Sequence, residues 1–253
     1  IDAKDAVAQS CNVAFMEIGK LLGPELFVKY QQLHNFGQKT GIDLPGETTG
    51  IVYGDRMTTI DAACNSFGQT INVNMMQMMA AYCSIINGGM LYQPHIVKRI
   101  ESANGEVVKE YKANLVRQTI TASTSKLLRR YLKNTVEEGT AKKAGVTGYS
   151  VAGKTGTAQK GDRKDNKWII SFIGHAPAEN PKFAIYVVID EPYGTTGTSG
   201  SSADVLTLTH NILEKLLPYM NVYKDASDEY EDTSSSPDEL TVDGIPAGTA
   251  SSN

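Results

Sequence analysis

Val151-Ala152-Gly153-Lys154-Thr155-Gly156-Thr157-Ala158-Gln159 is the stretch whose reading decides the fold. Small and β-branched residues around one lysine make residues 149–159 a strand. Two more strand candidates follow, residues 168–176 and 183–190, joined by turn-like segments at 161–166 and 178–181. Short turns between consecutive strands predict antiparallel pairing. Residues 205–217 then return to helical spacing. Gly153 and Gly156 flank the lysine, and glycine inside a strand marks close approach of a ligand or another backbone. A lysine so placed holds an anionic group or keeps a neighbouring hydroxyl's proton mobile. The threonines add hydroxyl donors, and a strand-edge N–H is able to face an oxyanion. The plainer alternative is a strand end with a solvated lysine.

Upstream the period is that of helices. Residues 4–22 read as helical, broken near Ser10-Cys11-Asn12 and ended by Gly23-Pro24. A second helix fits residues 25–34. The glycine-rich stretch 37–54 reads as loop. Residues 61–87 read as helix-rich and buried, with Met75, Met76, Met78 and Met79 as gap-filling core. Asn104-Gly105 between residues 95–100 and 106–111 is a hairpin signal. Residues 123–138 read as a helix burying Leu127, Leu128, Tyr131, Leu132 and Val136. Helices, a small antiparallel sheet and a closing helix predict an α/β (α+β) fold, an antiparallel sheet flanked by helices.

Composition narrows the function classes. With 253 residues, 41% hydrophobic and 21% charged, the chain is of ordinary globular type. No apolar run approaches the ~18–20 residues of a membrane span. Ile1-Asp2-Ala3-Lys4-Asp5 lacks an apolar core, so any targeting segment is expected upstream. From Lys224 to Asn253 eight acids face one base, so −7 of charge sits there and +3 on residues 1–223. That divides the chain into a body, 1–223, and an acidic tail, 224–253, expected to be disordered. A mildly basic body makes no case for nucleic acid. Cys11, Cys64 and Cys83 have no CxxC spacing, and the four histidines are scattered. Neither a metal site nor a cofactor is expected.

Two other short motifs require a decision. Ser-x-Asn occurs three times, at Ser10-Cys11-Asn12, Ser102-Ala103-Asn104 and Ser251-Ser252-Asn253. Only the first opens an apolar helix, where Ser10 and Asn12 face a cleft or simply cap the helix. Ser-x-x-Lys occurs as Ser123-Thr124-Ser125-Lys126. It is rejected as a nucleophile pair, because its helix presents Lys126, Arg129, Arg130 and Lys133, whereas a lysine base must be desolvated. Ser123 is instead expected to cap that helix.

From Ala6 to about Val222 the chain resembles the class B penicillin-binding proteins, the monofunctional peptidoglycan D,D-transpeptidases of division and sporulation, with a Gram-positive flavour. The segments that carry the resemblance, in the family's order, begin with Ser10-Cys11-Asn12-Val13-Ala14-Phe15, Gly37 through Glu47, and Ser66-Phe67-Gly68-Gln69. Asn87-Gly88-Gly89, Glu138-Gly139-Thr140-Ala141, Gly153 through Gln159 and Trp168 through Phe172 follow. The resemblance implies a transpeptidase and serine β-lactamase-like fold, no cofactor, and D-Ala-D-Ala stem peptides and β-lactam antibiotics as ligands. It also implies the cell-wall machinery of division or sporulation as partner, and work at the extracytoplasmic face of the membrane from an upstream anchor. Ser10, Asn12 and Lys154 would be the catalytic residues, Ser10 as proton relay, Asn12 as hydrogen-bond partner of the substrate amide and Lys154 as the positive field. Thr155, Gly156 and Thr157 would bind the terminal carboxylate, the Thr157 N–H forming half of the oxyanion hole.

The family also has a Ser-x-x-Lys several tens of residues before Ser-x-Asn, and only nine residues precede Ser10. The nucleophile, its lysine and half of the oxyanion hole are thus expected to lie outside this chain, leaving the fold incomplete at its N-terminus and the chain inactive alone. Exposed apolar surface should then drive self-association or capture of a companion fragment. Two other readings stay open: a D,D-carboxypeptidase or serine β-lactamase relative, and a non-catalytic domain that binds peptidoglycan peptides.

Overall fold

Gly23-Pro24 shapes the first helical layer of the computed structural model, which describes residues 1–161, 164, 167–192 and 201–226. Helix α1 spans Ala3–Ala8, and α2 spans Asn12–Leu33 with a kink where Gly23 leaves helical geometry (φ 75°, ψ 163°). Proline costs nothing at the first position of the second segment, because its missing N–H has no intrahelical partner there. Helices α3 (Thr59–Ser66) and α4 (Met75–Ile86) each begin with a capping box, Thr58 with Asp61 and Asn74 with Gln77. The fully buried Gln77 also donates from Nε2 to the Gln38 and Thr49 carbonyls, 2.7 and 2.9 Å away. It thereby anchors the 37–54 loop on α4. Glu47 holds the same loop by accepting from the Thr40 N–H and hydroxyl and from the Gly41 N–H. The methionine cluster is peripheral to the core: Met75 is exposed and Met76, Met78 and Met79 are half-buried, Met78 packing against the Tyr82, Ile86 and Ile173 cluster, while the position buried outright is the polar Gln77.

Strand β1 (Met90–Gln93) pairs with β4 (Asn114–Gln118), and β2 (Arg99–Glu101) pairs with β3 (Val107–Glu110) across the expected Asn104-Gly105 turn. Helix α5 covers Ala122–Glu137. Its cap is Thr121, whose hydroxyl accepts from the Thr124 N–H at 3.1 Å, so Ser123 does not cap it. Its buried face also differs from the apolar stripe. Val136 is buried as expected, but Leu127 is exposed, Leu128, Tyr131 and Leu132 are half-buried, and the other fully buried positions are the polar Ser125 and Thr135. Polar satisfaction selects this face. Ser125 Oγ accepts from the Gly88 N–H and from Arg129 Nη1, both at 3.0 Å, and Thr135 Oγ1 bonds the Gly153 carbonyl.

The meander expected from the sequence is present: β5 (Ala152–Lys160), β6 (Lys167–Ala176) and β7 (Phe183–Asp190) pair antiparallel in that order. Helix α6 (Ala203–Tyr219) packs on one face, where Val205, Leu206, Leu213 and Leu217 meet Ile170 and Phe172. On the other face Ile173 meets Tyr82 and Ile86 of α4. Gly153 is required by the protein and not by a ligand, because a Cβ there would lie 2.3 Å from the Phe172 ring, which also covers the facing Gly174. Beyond α6 the chain returns to the segment that precedes β5. Asp225, counted with the acidic tail in the sequence, accepts from the Ser150 N–H at 2.7 Å and from its hydroxyl. The rest of that tail, residues 227–253, lies outside the described residues.

One buried histidine ties the sheet to α4. His175 Nε2 donates to the Ala178 carbonyl at 3.1 Å, and Nδ1 accepts from the Tyr82 hydroxyl at 2.8 Å. Burial, aided by the positive charge of Arg129, lowers its pKa from 6.5 to about 4. Between these values the unfolded chain binds a proton that the folded chain does not, so stability is full above pH 6.5 and falls towards pH 4. The loss expected is about 3 kcal/mol. Urea unfolding of the wild type and His175→Gln should diverge over this window, the variant lacking the extra acid slope; parallel profiles would refute the assignment.

Candidate active site

Ser10 occupies the break between α1 and α2 with φ 54°, a left-handed conformation that side chains rarely adopt. Such strained positions persist where surrounding contacts hold them, and they concentrate at functional sites. The helix-cap alternative does not describe Ser10. The cap position of α2 is Cys11, which makes no side-chain cap bond, and Ser10 turns its hydroxyl towards the sheet. There Lys154 Nζ donates to Ser10 Oγ at 2.7 Å and to the Thr155 carbonyl at 3.1 Å. Asn12, the first residue of α2, lines the same cleft.

The segment after α5 holds the two sides in register. A Cβ on Gly139 would lie 2.4 Å from the Ala8 carbonyl, so only glycine admits the end of α1 this closely. Thr140 N–H donates to that carbonyl at 3.0 Å, and Thr140 Oγ1 is 3.3 Å from Thr155 Oγ1. Glu138-Gly139-Thr140-Ala141 thus bridges the end of α1, two residues before Ser10, to the strand that carries Lys154.

Strand β5 is an edge: among the described residues it pairs only with β6, so its other edge faces the cleft. Lys154 and Gly156 stand opposite Ile173 and Ser171 in register, and these four share the cleft side of the sheet. A Cβ on Gly156 would meet Ser171 Oγ at 2.6 Å, so a side chain there would require the Ser171 hydroxyl to turn away. The cleft has a volume of about 600 Å³ and contains every site residue expected from the sequence: Ser10, Asn12, Lys154, Thr155, Gly156 and Thr157. Phe15, Met78, Ile173 and Tyr186 give it an apolar floor, and Phe67-Gly68-Gln69 forms a wall. A larger hollow of about 800 Å³ borders the Gly23-Pro24 kink and contains none of these residues.

Burial lowers the Lys154 pKa from 10.5 to about 8. Among the described residues no carboxylate forms an ion pair with it to offset that cost. Near neutral pH the group is a positive charge close to releasing its proton, in hydrogen-bond contact with a hydroxyl. This is the arrangement that proton relay and activation of a hydroxyl require. Ser123 and Lys126 lie exposed on α5 and do not line the cleft. Thr140 and Ser171 lie in segments that carry the family resemblance but received no site role from the sequence, and Tyr186 lies in none of those segments; pairing and packing bring all three to the cleft. The three cysteines are free thiols and half-buried.

Comparison with known proteins settles the family. Residues 1–214 match the penicillin binding protein transpeptidase domain. The chain belongs to that family. Stage V sporulation protein D of Bacillus subtilis is 42% identical over 223 residues, covering 86% of this chain and 34% of that protein. A probable peptidoglycan D,D-transpeptidase, PenA of Neisseria meningitidis, is 31% identical over 197 residues, covering 76% and 32%. Among solved structures, penicillin binding protein 3 of Mycobacterium tuberculosis in complex with ampicillin superposes with a TM-score of 0.80 at 30% identity, covering 90% of this chain and 53% of that one. The class B resemblance and the transpeptidase fold are borne out. The chain spans about a third of the length of the curated relatives it matches.

The buried lysine makes stability depend on pH on the alkaline side. Below about pH 8 the folded protein carries the full cost of the buried charge; the cost is relieved as pH rises to 10.5, where the unfolded lysine also deprotonates. Relative to Lys154→Met, the wild type is expected to gain about 3 kcal/mol across that window in denaturant unfolding. A constant difference between the two proteins would show that Lys154 is solvated.

Proposed function

We propose that this chain is part of a serine D,D-transpeptidase that cross-links peptidoglycan stem peptides and is acylated by β-lactams. The observation that carries the proposal is the contact of Lys154 Nζ with Ser10 Oγ beside the free edge of β5. In this reading a serine from a Ser-x-x-Lys segment outside the chain attacks the penultimate D-Ala carbonyl and the terminal D-Ala departs. The acyl-enzyme then passes to an amine of a neighbouring strand. Ser10 relays the proton to the leaving nitrogen, while Lys154 supplies a positive field close to its own pKa. Asn12 bonds the substrate amide. Thr155 and Thr157 take the terminal carboxylate, and the Thr157 N–H meets the oxyanion. Gly156 lets the substrate backbone lie against the strand. The setting is the extracytoplasmic face of the membrane, in division or sporulation; no helix among the described residues is long and apolar enough to cross a membrane.

The apolar floor supports a nucleophile that arrives with its own covering segment. It lies beside a second cavity of about 300 Å³ lined by Leu22, Phe27, Tyr30, Phe36, Ile71 and Val73, with Gly68 and Met78 common to both. Gln31 Oε1 is buried there without a hydrogen-bond partner. On α2, Val13 and Leu21 are 69% and 87% exposed. Surface of this kind is normally covered. Velocity sedimentation over a concentration series is expected to show self-association of the isolated chain; a concentration-independent compact monomer would count against the missing cover.

A second reading has its own observation. Ser10 is the hydroxyl that the lysine touches, so Ser10 with Lys154 is a candidate nucleophile–base pair in its own right. A fluorescent penicillin separates the two. With the nucleophile outside the chain, no serine ester forms on the isolated chain, because a missing nucleophile removes nearly all covalent turnover. A stoichiometric ester on Ser10 would establish the second reading, and one on any other serine would sink both.

A further inference from the structure

We infer that Lys154 is itself a nucleophile in this chain, opening a β-lactam held in the cleft by its ε-amino group and retaining it as an amide. The inference rests on the reading that this cleft takes β-lactams, and three features of the site carry it. First, position: Lys154 projects on the cleft side of β5 beside Ile173 and Ser171, so its amine lies within the roughly 600 Å³ space next to the strand edge. Second, a proton path: Ser10 Oγ lies 2.7 Å from Nζ, and a hydroxyl in that position takes a proton from the attacking amine and passes one to the departing nitrogen. Third, freedom from a counter-ion: no ion pair among the described residues holds the ammonium form.

Burial acts in the same direction, with the amine's pKa lowered to about 8. At that pH half of it is neutral, whereas an ordinary lysine near 10.4 is neutral to less than about 1%. The lower basicity makes each neutral amine a weaker nucleophile, so the net advantage over a surface lysine is about tenfold.

The step balances without a further reagent. The Nζ lone pair forms a bond to the β-lactam carbonyl carbon, and the ring C–N bond breaks. The proton lost by the attacking amine travels through Ser10 to the released ring nitrogen. The product is a secondary amide on Lys154 with the whole antibiotic added, and no atom leaves. An amide resists the nucleophiles that cleave a serine ester, so the adduct accumulates where an acyl-serine would turn over.

The test uses the 253-residue chain with ampicillin at a series of pH values, followed by intact mass, peptide mapping and hydroxylamine treatment. Expected is one adduct with the mass of the intact antibiotic, on Lys154, resistant to hydroxylamine, forming at least about tenfold faster than on other lysines. Its rate should rise to half-maximum at or somewhat above pH 8, because the antibiotic's own carboxylate favours the ammonium form, and before the rates on surface amines, which climb towards their ordinary pKa. Lys154→Arg, checked for folding by circular dichroism, should abolish it. Ser10→Ala should slow it by about a hundredfold, the low end of positioned proton transfer. Labelling spread evenly over all lysines overturns the inference. Ampicillin that shifts the amide resonances of Thr155, Gly156 and Thr157 but leaves Lys154 unmodified overturns it and spares the β-lactam reading of the cleft. Ampicillin that neither shifts nor labels them removes both.

Discussion

The contact between Lys154 Nζ and Ser10 Oγ joins the two halves of this protein, and most of the local structure exists to make it. One partner lies in a strained turn between two helices, the other on the edge strand of a sheet, 144 residues apart in sequence. A lysine that loses solvent without gaining a carboxylate is costly, and a left-handed serine is costly as well. Neither is set up to maximise stability. Their coincidence in one cleft is therefore stronger grounds for chemistry than either motif alone.

Three supports hold the contact in place. Gly139 and Thr140 bind the end of α1, and Thr140 touches Thr155. Thr135 of α5 bonds the carbonyl of Gly153, the residue before the lysine. Gly153 and Gly174 admit the Phe172 ring, which keeps β5 and β6 in a register that places Lys154 on the cleft side and Phe172 in the α6 core. A strand has two faces and a one-residue slip exchanges them. The ring over the glycine pair acts against that slip, which would turn the lysine into the core.

This division explains what could be read from the chain. The meander, the Asn104-Gly105 hairpin and the break at Ser10-Cys11-Asn12 were legible because each is written locally, in alternation, turn chemistry or a lapse of helical spacing. The pairing of β1 with β4 was not, since it closes over an inserted hairpin and buries one large residue, Leu91. The face of α5 was misread because apolar spacing proposes Leu127, while buried polar groups on its neighbours require Ser125, Arg129 and Thr135. The six cleft residues were found through ordered motifs, which mark chemistry that has to be contiguous. Thr140, Ser171 and Tyr186 come from elements whose local pattern says only helix end or strand.

The lysine's charge is then a property of whatever fills the cleft. With the floor open, water reaches part of the group and desolvation alone sets its pKa. An apolar segment laid over Phe15, Met78 and Tyr186 removes that water and favours the neutral amine. A substrate carboxylate reaching Thr155 and Thr157 acts oppositely, since an opposite charge within about 4–6 Å favours the ammonium form. Cover and ligand thus pull the same proton in opposite directions. Ser10, bonded to that nitrogen, stands where the proton goes when the balance changes.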